Sequence, residues 1–224
     1  MKPLSNSVIT AIHDYVYLLE RNYPAKTVLN LVATRYSLSA AERSMLYRGV
    51  SPSAEAKKRK AKKTTTEKSS NNASIHIDTL NVILTIHAYL AGKPVFISSD
   101  GFLRDAAEAH GNKDLPHLER SVTLLTSFLD KKETRKCIFF LDKKADNSPA
   151  VKNSLEPFLA SAGYNSEIIT NNMTDRMIEQ ARDGVIATSD STIIDRSPLP
   201  VVDLPEETLR YHFDPVFISL QDIF

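Results

Sequence analysis

The sequence predicts an α/β protein, a three-layer parallel sheet covered by helices, preceded by a small all-α domain. Three observations lead there. After residue 74, short apolar runs recur between stretches of helical periodicity. Before residue 51, apolar residues fall instead at spacings of three and four. Residues 51–73, between them, show no apolar periodicity and are rich in Ser, Thr, Lys and Asn. The expected organisation is a helical domain over 1–50, a basic flexible linker over 51–73 and an α/β domain over 74–224.

In the first region, a helix over about 5–20 places Val8, Ile12, Tyr15, Val16 and Leu19 on one face. "YPAKTVLNLVATRY" opens with Pro24 at a first-turn position and aligns Val28, Leu31 and Val32. "LSAAERSMLYRG" offers Ser39 as N-cap, Glu42 three residues on to complete a capping box, and Gly49 as terminator. The short "YSL" joint between the last two suits a helix-turn-helix.

In the α/β region, "SIHI" (74–77), "PVFI" (94–97), "KCIFFL" (136–141), "EIIT" (167–170), "GVIAT" (184–188) and "PVVDL" (200–204) read as strands. Helical periodicity covers 79–91, 101–109, 115–130, 149–162, 173–182 and 205–211.

Composition narrows the function. The net charge of +1 conceals a basic front and an acidic back. Residues 1–50 carry six Lys/Arg against three Asp/Glu, residues 51–73 seven against two, and residues 74–224 fifteen against twenty-two. Such asymmetry points to a polyanion or a metal. One cysteine, Cys137, excludes an intramolecular disulfide and a multi-Cys zinc site. With six glycines and neither GxGxxG nor "GK[ST]", a dinucleotide or P-loop enzyme is not expected. No apolar run reaches the roughly 18–20 residues of a membrane span, so a cytoplasmic protein with no membrane partner is the expectation.

Ligands of open α/β sheets bind outside the carboxyl ends of the strands. There the chain places Asp78 and Asn81 after the first strand, Asp100 and Asp105 after the second, and Asp142 after "KCIFFL". Ser189, Asp190, Ser191 and Asp195 follow "GVIAT". Each acid alone is an ordinary helix N-cap. Gathered at one rim, like charges resist ionisation unless a cation neutralises them. Hard oxygen donors with no Cys or His set select Mg²⁺ or Mn²⁺, which activate water and stabilise charge on a phosphodiester oxygen.

These residues also carry a resemblance. "HIDTLNVILTI" resembles the opening "DGxN" strand and helix of PIN-like, NYN-type nuclease domains, "IFFLDKKA" their middle strand, and "IATSDSTIID" their late "TSD" segment. The whole layout is similar to an uncharacterised family joining a short helical N-terminal domain to a PIN-like domain. It shares "RYSL…ER…LYRGV" at 35–50, "DGFLRD" at 100–105 and "TSDS.IIDR" at 188–196. The resemblance implies a ribonuclease in which Asp78, Asp142, Asp190 and Asp195 hold one or two divalent metals. Asp100 and Asp105 would add ligands or contact the ligands from behind, and Asn81, Ser189 and Ser191 would orient carboxylates or substrate. One departure stands out: Thr79 occupies the place of the motif glycine.

An acidic rim alone repels RNA, so cations are expected elsewhere. "KKRKAKK" (57–63) packs six into seven positions, and Arg43 and Arg48 extend it. Lys143, Lys144 and Arg196 flank the acids and are placed to hold phosphates. The expected partner is RNA, with DNA second. A non-catalytic nucleic-acid-binding protein on the same fold, and less so a metal-dependent phosphatase, are the competing expectations.

Overall fold

The computed structural model describes residues 4–69, 73–106, 115–132, 136–161 and 166–224. Along the chain run α1 (Asn6–Leu19), α2 (Ala25–Arg35), α3 (Ala40–Gly49), α4 (Ser53–Lys62), β1 (Lys63–Thr64), β2 (Ile75–Asp78), α5 (Thr79–Leu90), β3 (Val95–Ile97) and β4 (Leu103–Asp105). There follow α6 (Leu118–Lys131), β5 (Cys137–Asp142), α7 (Ser148–Ser161), β6 (Glu167–Asn171), α8 (Thr174–Glu179), β7 (Val185–Ala187), α9 (Ser191–Arg196), β8 (Val201–Val202), α10 (Leu204–Phe213), β9 (Ile218–Ser219) and a 3-10 turn (Leu220–Ile223). The fold is α/β, with a small helical region at the front. It divides into two compact units, one of residues 1–61, 92–111 and 216–224, the other of 62–91 and 112–215.

In the first unit, α1 to α3 form as their periodicity requires. Val8, Ile12 and Tyr15 of α1 are buried with Val28 and Val32 of α2 and Met45 and Leu46 of α3. Leu31 departs from the expected face and is 61% exposed. The capping box is present: the Ser39 hydroxyl accepts from the Glu42 N–H, and the Glu42 carboxylate accepts from the Ser39 N–H at 2.8 Å.

The same unit contains a three-stranded sheet, ordered β4-β3-β9. "PVFI" therefore does not join the large parallel sheet. "DGFLRD" is not a helix start either; it returns as β4, antiparallel to β3. Gly101, at φ +87°, makes that reversal, which a side chain there would strain. The rest of the helix expected over 101–109, residues 107–109, lies outside the described residues.

The segment 51–73 is also not the linker its composition suggests. Residues 53–62 form α4, and Lys63–Thr64 pair with Val201–Val202 as an edge of the larger sheet. Residues 70–72 lie outside the described residues. The basic run reads as linker because α4 has few apolar residues to show a period; only Ala56 and Arg59 are buried along it.

The second unit is built on a six-stranded sheet, all parallel, in the order β1-β8-β7-β2-β5-β6. Ile75, Ile77, Cys137, Phe139, Leu141 and Ile186 are buried, as strands covered on both faces require. From β2 the chain progresses outward through β5 to β6, then returns to lay β7 on the other side of β2. The strand order thus reverses between β2 and β7. Gly184 permits the return: its φ is +78°, and a Cβ there would run into the Ser74 carbonyl, which accepts the Val185 N–H at 2.9 Å.

Candidate active site

Reversal of strand order opens a crevice at the carboxyl ends of β2 and β7, since the connections leave in opposite directions. Asp78 ends β2, and Thr188, Ser189 and Asp190 follow β7. Two side-chain bridges join the lips. The Thr188 hydroxyl donates to Asp78 Oδ2 at 2.8 Å, and Thr188 Oγ1 accepts the Asp190 N–H at 3.0 Å. Asn81 Oδ1, on the first turn of α5, accepts the Ser189 N–H at 2.8 Å and its hydroxyl at 3.1 Å. Thr188 and Ser189 are buried. Of the four hydroxyls after β7, these two are thus struts of the site.

Asp142 ends β5, the strand on the other flank of β2, and its Oδ1 accepts the Lys144 N–H at 2.9 Å. Asp190 caps α9: its Oδ1 accepts the N–H groups of Thr192 at 2.7 Å and Ile193 at 3.4 Å. Its other oxygen takes no hydrogen bond among the described residues. Asp78 holds the N-cap position of α5, and its carboxylate faces the Thr188 hydroxyl and the Asn81 N–H.

A cleft of about 490 Å³ lies here, lined by Asp142, Asp175, Glu179, Asp190, Arg176 and Arg196 among others. Asp175, in the first turn of α8, is a site residue that the sequence reading misses. Burial pushes the Asp78 carboxyl up to about 7, with Asp175 and Asp190 adding to the rise and the Thr188 hydroxyl opposing it. Asp175 is raised as well, by burial and then by Asp190, Asp142 and Glu179. Asp175 and Asp190 thus repel Asp78, which is not itself among the residues lining the cleft, and Asp190, Asp142 and Glu179 repel Asp175.

The remaining expected site residues fall in three groups. Ser191 opens α9, and Lys143 and Lys144 are exposed beside Asp142. Arg196 lines the cleft and pairs with Glu179 at 3.3 Å, while Arg176, which the sequence reading passes over, lines it too. Asp195 is exposed further along α9 and is not among the residues lining the cleft.

Asp100 and Asp105 belong to the other compact unit, and both carboxylates are taken by arginines. Arg104 grips Asp100 with two bonds of 2.9 Å, and Arg59 approaches it at 3.5 Å. Burial pushes Asp100 upward, but Arg104, Ser98 and Arg59 together hold its carboxyl below the ordinary value. Asp105 pairs with Arg48 at 3.0 Å. A metal would have to compete with these guanidiniums, so both acids leave the candidate ligand set, and Arg48 leaves the RNA track. Arg43 donates to Asn30 at 2.8 Å.

The run "KKRKAKK" is likewise partly consumed. Arg59 is buried on Asp100, and Lys63 pairs with Asp203 at 3.0 Å and Glu206 at 2.6 Å. Lys62 donates to the carbonyls of Ile194 at 2.6 Å and Ser197 at 2.7 Å, at the C-terminal end of α9. That short helix is thus held between Asp190 at one end and an ammonium at the other, both complementing its dipole. Lys57, Lys58 and Lys60 are exposed.

The donor set in the crevice is carboxylate oxygen, the chemistry that suits Mg²⁺ or Mn²⁺. Among the described residues no three His, Cys, Asp or Glu stand close enough to hold an ion as placed. The set fits a hard cation by chemistry and by mutual repulsion, and binding would have to draw the carboxylates inward.

A family model described as "Domain of unknown function (DUF5616)" matches residues 67–207, and one described as "Protein of unknown function (DUF434)" matches residues 7–62. The chain is 28% identical over 209 residues to "Uncharacterized protein MJ0935" of Methanocaldococcus jannaschii, covering 92% of this chain and 98% of that one. No solved structure matches it. Among the described residues no helix is long and apolar enough to cross a membrane.

Proposed function

The chain belongs to the DUF5616 family of domains of unknown function, and we propose that it is a divalent-metal-dependent ribonuclease of PIN-like type. The observation that carries this reading is the crevice itself: Asp175 and Asp190 act on the charge of Asp78, and Asp190 and Asp142 on that of Asp175, where the strand order reverses. Those four would hold Mg²⁺ or Mn²⁺, which when bound supplies an activated water and charge stabilisation at a phosphodiester.

The protein's own share is positional. Thr188 holds the Asp78 carboxylate against β7, and Asn81 locks Ser189, so the lips of the crevice keep a fixed spacing. Lys62 anchors the far end of α9 and so steadies Asp190. Arg176 and Arg196, with Lys143 and Lys144 beside Asp142, supply the positive charge that a polyanion needs next to an acidic floor.

The test is cleavage of labelled single-stranded RNA with Mg²⁺, with Mn²⁺ and with EDTA. Metal-dependent cleavage is expected, falling at least roughly 100-fold in Asp78→Asn and in Asp190→Asn, the scale of losing one transition-state charge contact. Cleavage that persists in EDTA, or in the double variant, refutes the reading. RNA binding without cleavage assigns the protein to the non-catalytic alternative.

A further inference from the structure

The six-stranded sheet has two edges of opposite character. At one, β1 is two residues long, and its Lys63 is tied to Asp203 and Glu206. At the other, β6 runs five residues, "EIITN", with no lysine, proline or bulge to blunt it. Its neighbour β5 is buried along its apolar length, whereas Ile168 and Ile169 of β6 are only half-buried.

The hydrogen bonding fixes which backbone groups are free. Lys143 N–H donates to the Asn171 carbonyl at 2.9 Å, so Asn171 directs its backbone groups toward β5. Alternation along a strand sends Ile169 and Glu167 the same way, and turns the N–H and C=O of Ile168 and Thr170 outward. Among the described residues no strand pairs with that side.

We infer that β6 pairs antiparallel with β6 of a second copy of this chain, about a two-fold axis at Ile169. In that register Ile168 lies opposite Thr170 of the second copy, and the two residues exchange both N–H···O=C bonds. Symmetry repeats the exchange, giving four bonds from the four outward-facing N–H groups of the two strands. No other antiparallel register puts both outward residues opposite each other within the five-residue strand. Glu167 faces Asn171, so no carboxylate meets another across the axis. The interface is self-complementary, as a two-fold contact must be, and it joins two six-stranded sheets into one. A five-residue edge is small, so the dimer is a micromolar one.

Sedimentation velocity on the full chain, from about 1 to about 200 µM, is the first measurement. The mass should rise from 25.0 kDa toward twice that value. Thr170→Pro deletes an outward N–H while sparing the bonds to β5, and should weaken the dimer roughly 30-fold with the far-ultraviolet spectrum retained. Ile168→Lys, an edge-blocking charge, should do the same, and decides the matter should the proline variant fail to fold.

The register has its own test. Ile169 opposes its own counterpart as the close, non-bonded pair, whose Cα spacing of about 4.5 Å admits a disulfide. Ile169→Cys should therefore oxidise to a covalent dimer faster than Glu167→Cys. The native Cys137 is buried and leaves the wild type uncrosslinked. A chain that stays monomeric to about 200 µM, as it would if the edge served a foreign peptide, overturns the proposal. So does dimerisation unchanged in the Ile168→Lys variant, or crosslinking no faster at 169 than at 167.

Discussion

The Thr188 hydroxyl binds the Asp78 carboxylate at 2.8 Å and simultaneously accepts the Asp190 N–H at 3.0 Å. One buried oxygen thus spans the place where the strand order reverses and fixes two acids relative to each other.

Replacing that oxygen tests the bridge. Thr188→Val keeps the shape, removes the donor to Asp78 and strands the Asp190 N–H. The expected loss of stability in urea unfolding is about 1–3 kcal/mol at pH 8, where Asp78 is ionised. It should shrink at pH 5, where the folded-state carboxyl carries its proton and the bond is between neutral groups.

Asp78 itself should destabilise the protein at alkaline pH. Its carboxyl is raised from 3.8 to about 7, so between those values the folded state binds more protons than the unfolded chain. Stability from this group therefore falls as pH rises from about 4 to about 7 and stays low above. Asp78→Asn should be more stable than wild type at pH 8 by an amount on the order of 2–4 kcal/mol, and no more stable at pH 4. Thermal unfolding across that range measures it, and added Mn²⁺ should raise the melting temperature of the wild type alone.

His87 acts in the opposite sense. Burial lowers its pKa below 6.5, with His117 adding to the effect, and among the described residues its buried Nε2 has no hydrogen-bond partner. The unfolded chain binds the extra proton, so this contribution is complete above pH 6.5 and is lost as pH falls below it. His87→Leu should gain on wild type progressively between about pH 6.5 and pH 5.

Asp100 should prove structural. Asp100→Ala removes the two-bond partner of the buried Arg104 guanidinium and one of the two carboxylates on Arg59, at a cost of about 3–5 kcal/mol in the unit that contains them. Metal-dependent stabilisation at Asp78 should survive in that variant, which isothermal titration with Mn²⁺ on the folded fraction can check.

Why the sequence disclosed some of these roles and hid others follows from local geometry. Asp78 and Asp142 end apolar strands and Asp190 comes two polar residues after one, so their place at the carboxyl ends is written in nearby residues. Asp175 sits inside the first turn of α8, where an acid is expected for the helix dipole alone, and only tertiary proximity gives it another meaning. "DGFLRD" imitates a strand-to-helix junction; the arginine inside it, Arg104, takes Asp100, while Arg59 and Arg48, the other partners of its two acids, lie far back in the chain. The same distance hides Lys62 and Lys63, whose acceptors lie beyond residue 190. A run of cations reads as one solvated arm until its partners are known.

The first compact unit draws on three separated stretches of chain. Phe96 and Leu220 are buried in the same core as Val8, Ile12 and Leu46, and β9 completes the sheet on β3. During synthesis, then, α1 to α3 leave the ribosome long before Phe96 and Leu220 do, and the apolar face around Tyr15 stays open until those two side chains arrive to cover it.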